Sequence, residues 1–497
     1  MTNHLHGLDL TIIFLYAALL IAMGLFYRRR NKTSRQFMIA GGRIPTWAAG
    51  LAIMSTYVSS ISYIATPGKA YDDNWHPLIF ALAIFPVAWF TNRYAIPYYR
   101  KARLISVYGF LEQTMGGWAR FYASLAFLLY TIGRVAVILY LTGLLFTSFV
   151  AWPIEAVILV TGLITLFYCL LGGMEAVIWT DVVQSVIMIG GLAYAATALG
   201  VQVCSGPAPL IGKALAASKF GLGEWRLSLS SRTVWVMLIY GVSENLRNLL
   251  ADQNYVQKYS IVATEKQARQ SVWIGMLIYL PMTAVFLFIG TALYAFYAPG
   301  AHPLAAHVTK GDQVFPYYIA TQMPAGLKGL VVTAILAAAM STISSGLNCS
   351  ATVLLLDFVK RHIRPQMGDR ASLRFLQAMT LLAGLLGTGF ALLMIRARST
   401  LDVWWQISGT FGGGILGLFL LGLLGWRLSA WRGIAAIGVS IAVMVWGTFA
   451  RGLPAGWSWA ECRIDPILVG VLGTAAMLLA ALALGLTQSK PRHDRRS

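Results

Sequence analysis

A helical bundle that crosses a lipid bilayer many times is the fold class this sequence predicts, and three observations carry it. Hydrophobic residues make up 58% of the 497 and charged residues only 11%, with a mean hydropathy of +0.68, far from the usage of a water-soluble domain. Apolar runs of about 20 residues, each long enough to cross the hydrocarbon as a helix, recur from Leu8 to Leu486, about thirteen in all. The basic residues fall in alternate loops: with "YRRRNKTSR" (27–35) in the cytoplasm, that side carries about 24 of the 38 Lys and Arg, and the other about 9. Backbone groups in lipid must be satisfied within each span, so the protein is all-α.

The same loop pattern accounts for the net charge of +20 without a nucleic-acid partner, because the basic residues form no single patch or arm. It places the amino terminus outside and the tail "SKPRHDRRS" in the cytoplasm. The first apolar run has no Lys or Arg before it and a triple Arg after it, so residues 1–45 read as an outward terminus, a retained anchor helix and a cytoplasmic loop.

Five spans follow within 46–203, near 46–71, 77–97, 121–149, 155–171 and 182–203. A polar outer loop (204–232) separates them from five more within 233–426, near 233–252, 272–297, 327–359, 375–395 and 403–426. Two further spans, near 433–450 and 465–486, belong to a carboxy-terminal part, 427–497. Two sets of five that start from opposite faces read as inverted-topology repeats. The first helix of each set is the least regular: "GLAIMSTYVSSISYIATPGKAY" (50–71) mixes hydroxyls with Gly and Pro, and "MLIYGVSENLRNLLADQ" (237–253) carries charges. Interrupted helices in corresponding positions point to a binding site at the bilayer midplane.

The stretch "AILAAAMSTISSGLNCS" (334–350) puts hydroxyls at Ser341, Thr342, Ser344 and Ser345 inside an apolar span. Na+ is a hard ion that takes several oxygens, which hydroxyls and unwound carbonyls supply. Helical spacing gathers Ala338, Ser341, Thr342 and Ser345 on one face, and Ser341, Ser344, Ser345 and Asn348 on an overlapping one, enough for two ion sites. Any single hydroxyl can equally bond back to its own or a neighbouring helix. A second site needs a carboxylate, and Asp181 is the candidate; its position also suits an ordinary helix N-cap. Arg134, deep in "LLYTIGRVAVILYLTGL", suits a bidentate grip on a substrate carboxylate, or else an internal pair with Glu244. Glu244 and Arg247, three apart, can pair with each other instead.

An enzyme is disfavoured. The seven His (4, 6, 76, 302, 307, 362 and 493) lie in predicted termini and loops, away from any intramembrane Ser, and neither HExxH nor Gly-x-Ser-x-Gly occurs. With no CxxC pair there is no thiol metal site; a disulfide between Cys204 and Cys462, both near outer loops, stays open.

Taken together, "GGRIPTWAAGLAIMSTYVSSISYIATPGKAY", "IGRVAVILYLT", "YCLLGGMEAVIWTDVVQ", "QNYVQKY" and "AILAAAMSTISSGLN" resemble the sodium:solute symporter family, and within it the bacterial sodium/sialic acid symporters. The resemblance implies a leucine-transporter-type fold of two inverted five-helix repeats in a bacterial inner membrane, and sodium-driven symport of a small organic anion. It implies a first sodium site from the carbonyls of Ser55, Val58 and Ala338 and the hydroxyls of Ser341 and Thr342, and a second from Asp181, Ser341, Ser344 and Ser345. It assigns Arg134 to the substrate carboxylate, with Tyr57, Ser59, Ser62 and Ala81 as further substrate-binding positions. Tyr57 stands where those symporters carry Thr, Ala81 where they carry Gln, Pro77 where they carry Phe, and Thr342 where they carry Ser. Sialic acid is thus the expected substrate, with other sugar acids and monocarboxylates as alternatives. Proton coupling through Asp181 or Glu244 is the rival to sodium.

Overall fold

Residues 46 to 72 form two helices, not one. The first, Thr46–Tyr57, ends where Val58 and Ser59 take extended backbone angles, and the second, Ser60–Asp72, opens with the Ser59 amide bonded to the Ser62 hydroxyl at 3.2 Å. The hydroxyl-rich sequence eases this break, because the Ser62 hydroxyl accepts from the Ser59 amide that the broken ladder releases. In a computed structural model the described residues are 5–147, 149, 152–205, 210–298, 302–306, 308–395, 414–451, 455–485 and 487–488.

The second irregular helix breaks as well. Val234–Leu246 runs through a wide turn at Arg247–Ala251 to an extended Asp252, whose carboxylate caps the short helix Gln253–Val256 through the Asn254 amide at 2.9 Å. The predicted span 233–252 therefore covers only its first half, and the chain continues to Ser260. A further sharp bend, of 110°, separates Ser34–Gly42 from Thr46–Tyr57.

Nine helices among the described residues are long and apolar enough to cross a membrane. Gly7–Arg28 turns Phe14, Leu15, Leu19 and Phe26 outward, as a lipid-facing helix does. Ile154–Cys204 is interrupted at Gly173, where φ is +55°. On its two sides Tyr168 reaches the Met340 carbonyl and Asp181 the Ser341 hydroxyl, adjacent positions on one helix. A straight helix would hold those two residues about 20 Å apart, so the chain turns back on itself at the glycine. The expected spans 155–171 and 182–203 lie on the two sides of this turn, and the second begins earlier than expected.

At the centre runs Leu327–Val353, buried at every position from Val331 to Val353. Its small residues let neighbouring helices approach closely on all sides. Glycine does the same where Thr46–Tyr57 crosses Glu265–Phe296: a Cβ on Gly275 would lie 2.9 Å from the Gly50 carbonyl. Toward one end of the bundle, Asp357 accepts from Ser106, Ser124 and Arg120, and Arg120 also bonds Glu112. Each donor partly offsets the cost of a buried carboxylate.

Asp369–Met394 follows, and the predicted span 403–426 lies partly outside the described residues, with Gly414–Leu423 helical. Ala430–Phe449 and Pro466–Ala483 close the bundle, joined by the Ser440 hydroxyl on the Gly473 carbonyl at 2.8 Å. The single strand pairing among the described residues joins 426–427 to 487–488. All four cysteines are free thiols, Cys204 exposed and Cys462 buried, so the 204–462 bond is absent.

Candidate functional site

The first break faces a cavity of about 370 Å³, lined by both broken helices, by Gly117–Phe146 and by Glu265–Phe296. Tyr57, Ser59 and Ser62 line it, as does Arg134. Ala81 does not: it is buried behind the neighbouring Phe80, which lines the cavity together with Pro77. Adjacent residues on a helix point about 100° apart, so only one of the two can face the space. Ser62 spends its hydroxyl on the Ser59 amide, which makes it a capping group as well as a lining one.

Arg134 donates to the Thr56 carbonyl at 3.3 Å, and among the described residues no carboxylate pairs with it. Glu244 is instead taken by Arg247 at 2.5 Å. Arg247 also approaches Asp252 at 3.6 Å, the Tyr130 hydroxyl at 3.3 Å and the Tyr130 ring at 4.9 Å. The cavity thus holds one neutralised guanidinium and one guanidinium still able to take an anion. Its aromatic side was not foreseen from sequence: Tyr255 and Tyr279 pack on Tyr57 at ring-centroid distances of 4.6 and 5.0 Å, and the Tyr57 hydroxyl is buried without a partner. Those tyrosines lie in separate helices and carry no local signal beyond being aromatic.

At the break, two pairs of the oxygens expected in the first sodium site lie close together. The ladder of Ser60–Asp72 begins at the Ser59 carbonyl, so the Val58 carbonyl belongs to neither half. The Ser341 hydroxyl lies 3.5 Å from the Ser55 carbonyl and the Thr342 hydroxyl 3.2 Å from that of Ala338. Two oxygens each about 2.4 Å from one small cation and at right angles are about 3.4 Å apart, so the Ser341–Ser55 spacing fits shared ligands of Na+, while the Thr342–Ala338 contact is the hydroxyl's bond back to its own helix.

The expected second site has a different character. Asp181 sits eight residues past the Gly173 turn, inside the helix, so its carboxylate is not an N-cap. One oxygen accepts from the Ser341 hydroxyl at 2.8 Å, and the other pairs with Lys258 at 3.1 Å. Ser344 bonds back to the Ser341 carbonyl at 3.0 Å, and Ser345 keeps a buried hydroxyl with no partner. Asn348 is turned elsewhere, to Gln257 and the Phe37 carbonyl. Lys258 escaped the sequence reading because it follows a predicted span and counts there as an ordinary loop cation.

The model of the sodium:solute symporter family matches residues 37–436. The sodium/sialic acid symporter SiaT of Proteus mirabilis is 29% identical over 489 residues, 97% of this chain and 98% of its own length. NanT, the sodium/sialic acid symporter of Aliivibrio fischeri, is 32% identical over 481 residues, 95% of this chain and 93% of its own. The solved structure of a Na+-coupled sialic acid symporter, substrate-bound and outward-open, superposes with a TM-score of 0.88 at 28% identity, covering 98% of this chain and 99% of that one. With a match over most of its length and a cavity set above a carbonyl-and-hydroxyl cluster at a helix break, this chain belongs to the sodium:solute symporter family.

Proposed function

We propose that this protein is a sodium-driven symporter that imports a small organic anion, with sialic acid (N-acetylneuraminic acid) as its substrate. The observation that carries the reading is Arg134: a cavity-lining guanidinium that no carboxylate among the described residues neutralises, fastened to the carbonyl of the residue that precedes Tyr57 at the break. A carboxylate docked there receives charge-assisted hydrogen bonds in a site shielded from bulk water.

Sodium is written as co-substrate. At the break, the carbonyls of Ser55, Val58 and Ala338 and the hydroxyls of Ser341 and Thr342 would hold it, drawing Thr46–Tyr57 toward Leu327–Val353. That contact shapes the turn whose neighbour, Thr56, positions Arg134. Sodium therefore raises affinity for the anion, and the anion raises affinity for sodium by the same factor. Alternating access then carries both across, with 46–203 and 233–426 as inverted repeats, thirteen spans, the amino terminus outside and the carboxy terminus in the cytoplasm of a bacterium. Support for the repeats comes from the two breaks, at Val58 and Asp252, each in the first helix of its set.

Another sugar acid or a monocarboxylate is the second reading, favoured by the Tyr57 and Phe80 rings that line the cavity. The proton-driven reading has less support, because Asp181 and Glu244 are each held by a cationic side chain.

Uptake of labelled N-acetylneuraminic acid into proteoliposomes, under an inward sodium gradient and under potassium at equal pH, tests the proposal. Sodium-dependent accumulation supports ion and substrate together. No uptake by protein that sodium stabilises against heat overturns the sialic acid and keeps the ion.

A further inference from the structure

The ammonium of Lys258 lies 2.6 Å from the Ala52 carbonyl, 2.6 Å from the Thr56 hydroxyl and 3.1 Å from the Asp181 carboxylate. Both charged side chains are fully buried. An ammonium has three donors, and each has an acceptor here. Lysine is an unusual choice for such a place, because burying a compact, strongly hydrated charge is costly unless it is paired and fully bonded.

Position gives the pair its meaning. Asp181 is the only carboxylate among the residues expected to form the second sodium site, and it supplies that site's only formal charge. The hydroxyls of Ser341, Ser344 and Ser345 are neutral and bind a monovalent cation weakly by themselves. A sodium ion added beside the existing pair would put two cations on one buried carboxylate and leave a net positive charge in a low-dielectric interior.

We propose that Lys258 is a tethered cation that takes the place of a second sodium ion, so that this symporter carries one sodium per substrate. The inference rests on the sodium-symport reading and deepens it by assigning the coupling ratio. The tether has a second consequence. Thr56 gives its hydroxyl to Lys258 and its carbonyl to Arg134 and to Tyr255, the last at 3.1 Å. Lys258 therefore fixes the turn that positions the substrate arginine continuously, as a positioning residue, where a diffusible ion would do so only when bound.

Equilibrium binding of radioactive sodium to the purified full-length protein, at fixed pH against a choline background, tests this directly. The expected result is one ion per wild-type chain and two per Lys258→Met chain, with one again in Lys258→Met/Asp181→Asn. In proteoliposomes the Hill slope of uptake against sodium should rise from about 1 in the wild type to about 2 in Lys258→Met. Two ions on the wild-type chain, or one on a folded Lys258→Met chain, overturns the proposal. Where Lys258→Met does not fold, Lys258→Gln, which keeps a donor to the Ala52 carbonyl and the Thr56 hydroxyl, takes its place, with two ions expected and one overturning the proposal. No sodium on the wild type overturns the symport reading itself, which separates the two failures.

Discussion

Arg134 donates to the carbonyl of Thr56 at 3.3 Å, so the side chain that faces the cavity also braces the last turn before the first break. Substrate recognition and helix geometry meet in one contact. Loss of Arg134 should therefore reach further than loss of a surface charge.

Arg134→Ala is expected to weaken the transported anion about 100-fold or more, since each hydrogen bond to a charged group contributes roughly 1.5–3 kcal/mol and about 1.4 kcal/mol is a factor of ten. Arg134→Lys should not restore affinity, because an ammonium lacks the planar fork that holds a carboxylate and the Thr56 carbonyl together. Concentration dependence of uptake by the two variants checks this; normal affinity in either one sinks the assignment.

Thr342 contributes a hydroxyl within 3.2 Å of the Ala338 carbonyl. Thr342→Ser keeps that oxygen and should leave the half-saturating sodium concentration within about threefold of wild type, while Thr342→Val, equal in shape, should raise it at least about tenfold. Stabilisation by sodium relative to potassium in a thermal melt reads the difference through linkage. Equal behaviour of the two variants would remove Thr342 from the site.

Arg247 serves Glu244, Asp252 and Tyr130 at once. Arg247→Met removes the ion-pair partner of Glu244 and should cost about 3 kcal/mol, the range for breaking a buried pair. Glu244→Gln retains an acceptor and should cost about 1 kcal/mol. Sodium-saturated thermal stability of both variants tests the order, which must reverse if Glu244 is the more heavily used partner.

His76, between the second half of the first broken helix and the next span, bonds the Asn74 side chain through its Nδ1 at 3.0 Å. Burial pushes its pKa from 6.5 down to about 4, with Asp73 opposing the shift and Arg232 and Lys69 adding to it. Below pH 6.5 the unfolded chain takes up a proton that the folded chain refuses until pH 4, so stability falls as pH drops through that window and is flat above it. The loss is at most about 3 kcal/mol. His76→Gln should flatten the slope between pH 6.5 and 4; an unchanged slope would place its origin elsewhere.

Much of the architecture was legible because it rests on local properties. Hydrophobic length sets the spans, and a cluster of hydroxyls such as "MSTYVSSIS" competes with its own helix ladder, so the break at Val58 was written where it occurs. The face shared by Ala338, Ser341 and Thr342 follows from helical spacing alone. Spacing misplaced Asn348, which shares a face with Ser345 yet bonds to Gln257, because a shared face does not say which neighbour packs against it.

The sequence by itself determined a many-spanning helical bundle with interrupted helices and one hydroxyl-rich span, since length, polarity and period are properties of single segments. Only the tertiary structure decided that Arg134 has no carboxylate partner among the described residues while Arg247 holds Glu244, that Phe80 and not Ala81 meets the cavity, and that Lys258, 77 residues beyond Asp181, reaches its carboxylate. Each of these is a contest among partners brought together by packing. A buried charge goes to whichever opposite charge the fold puts within reach, and no segment read alone records that distance.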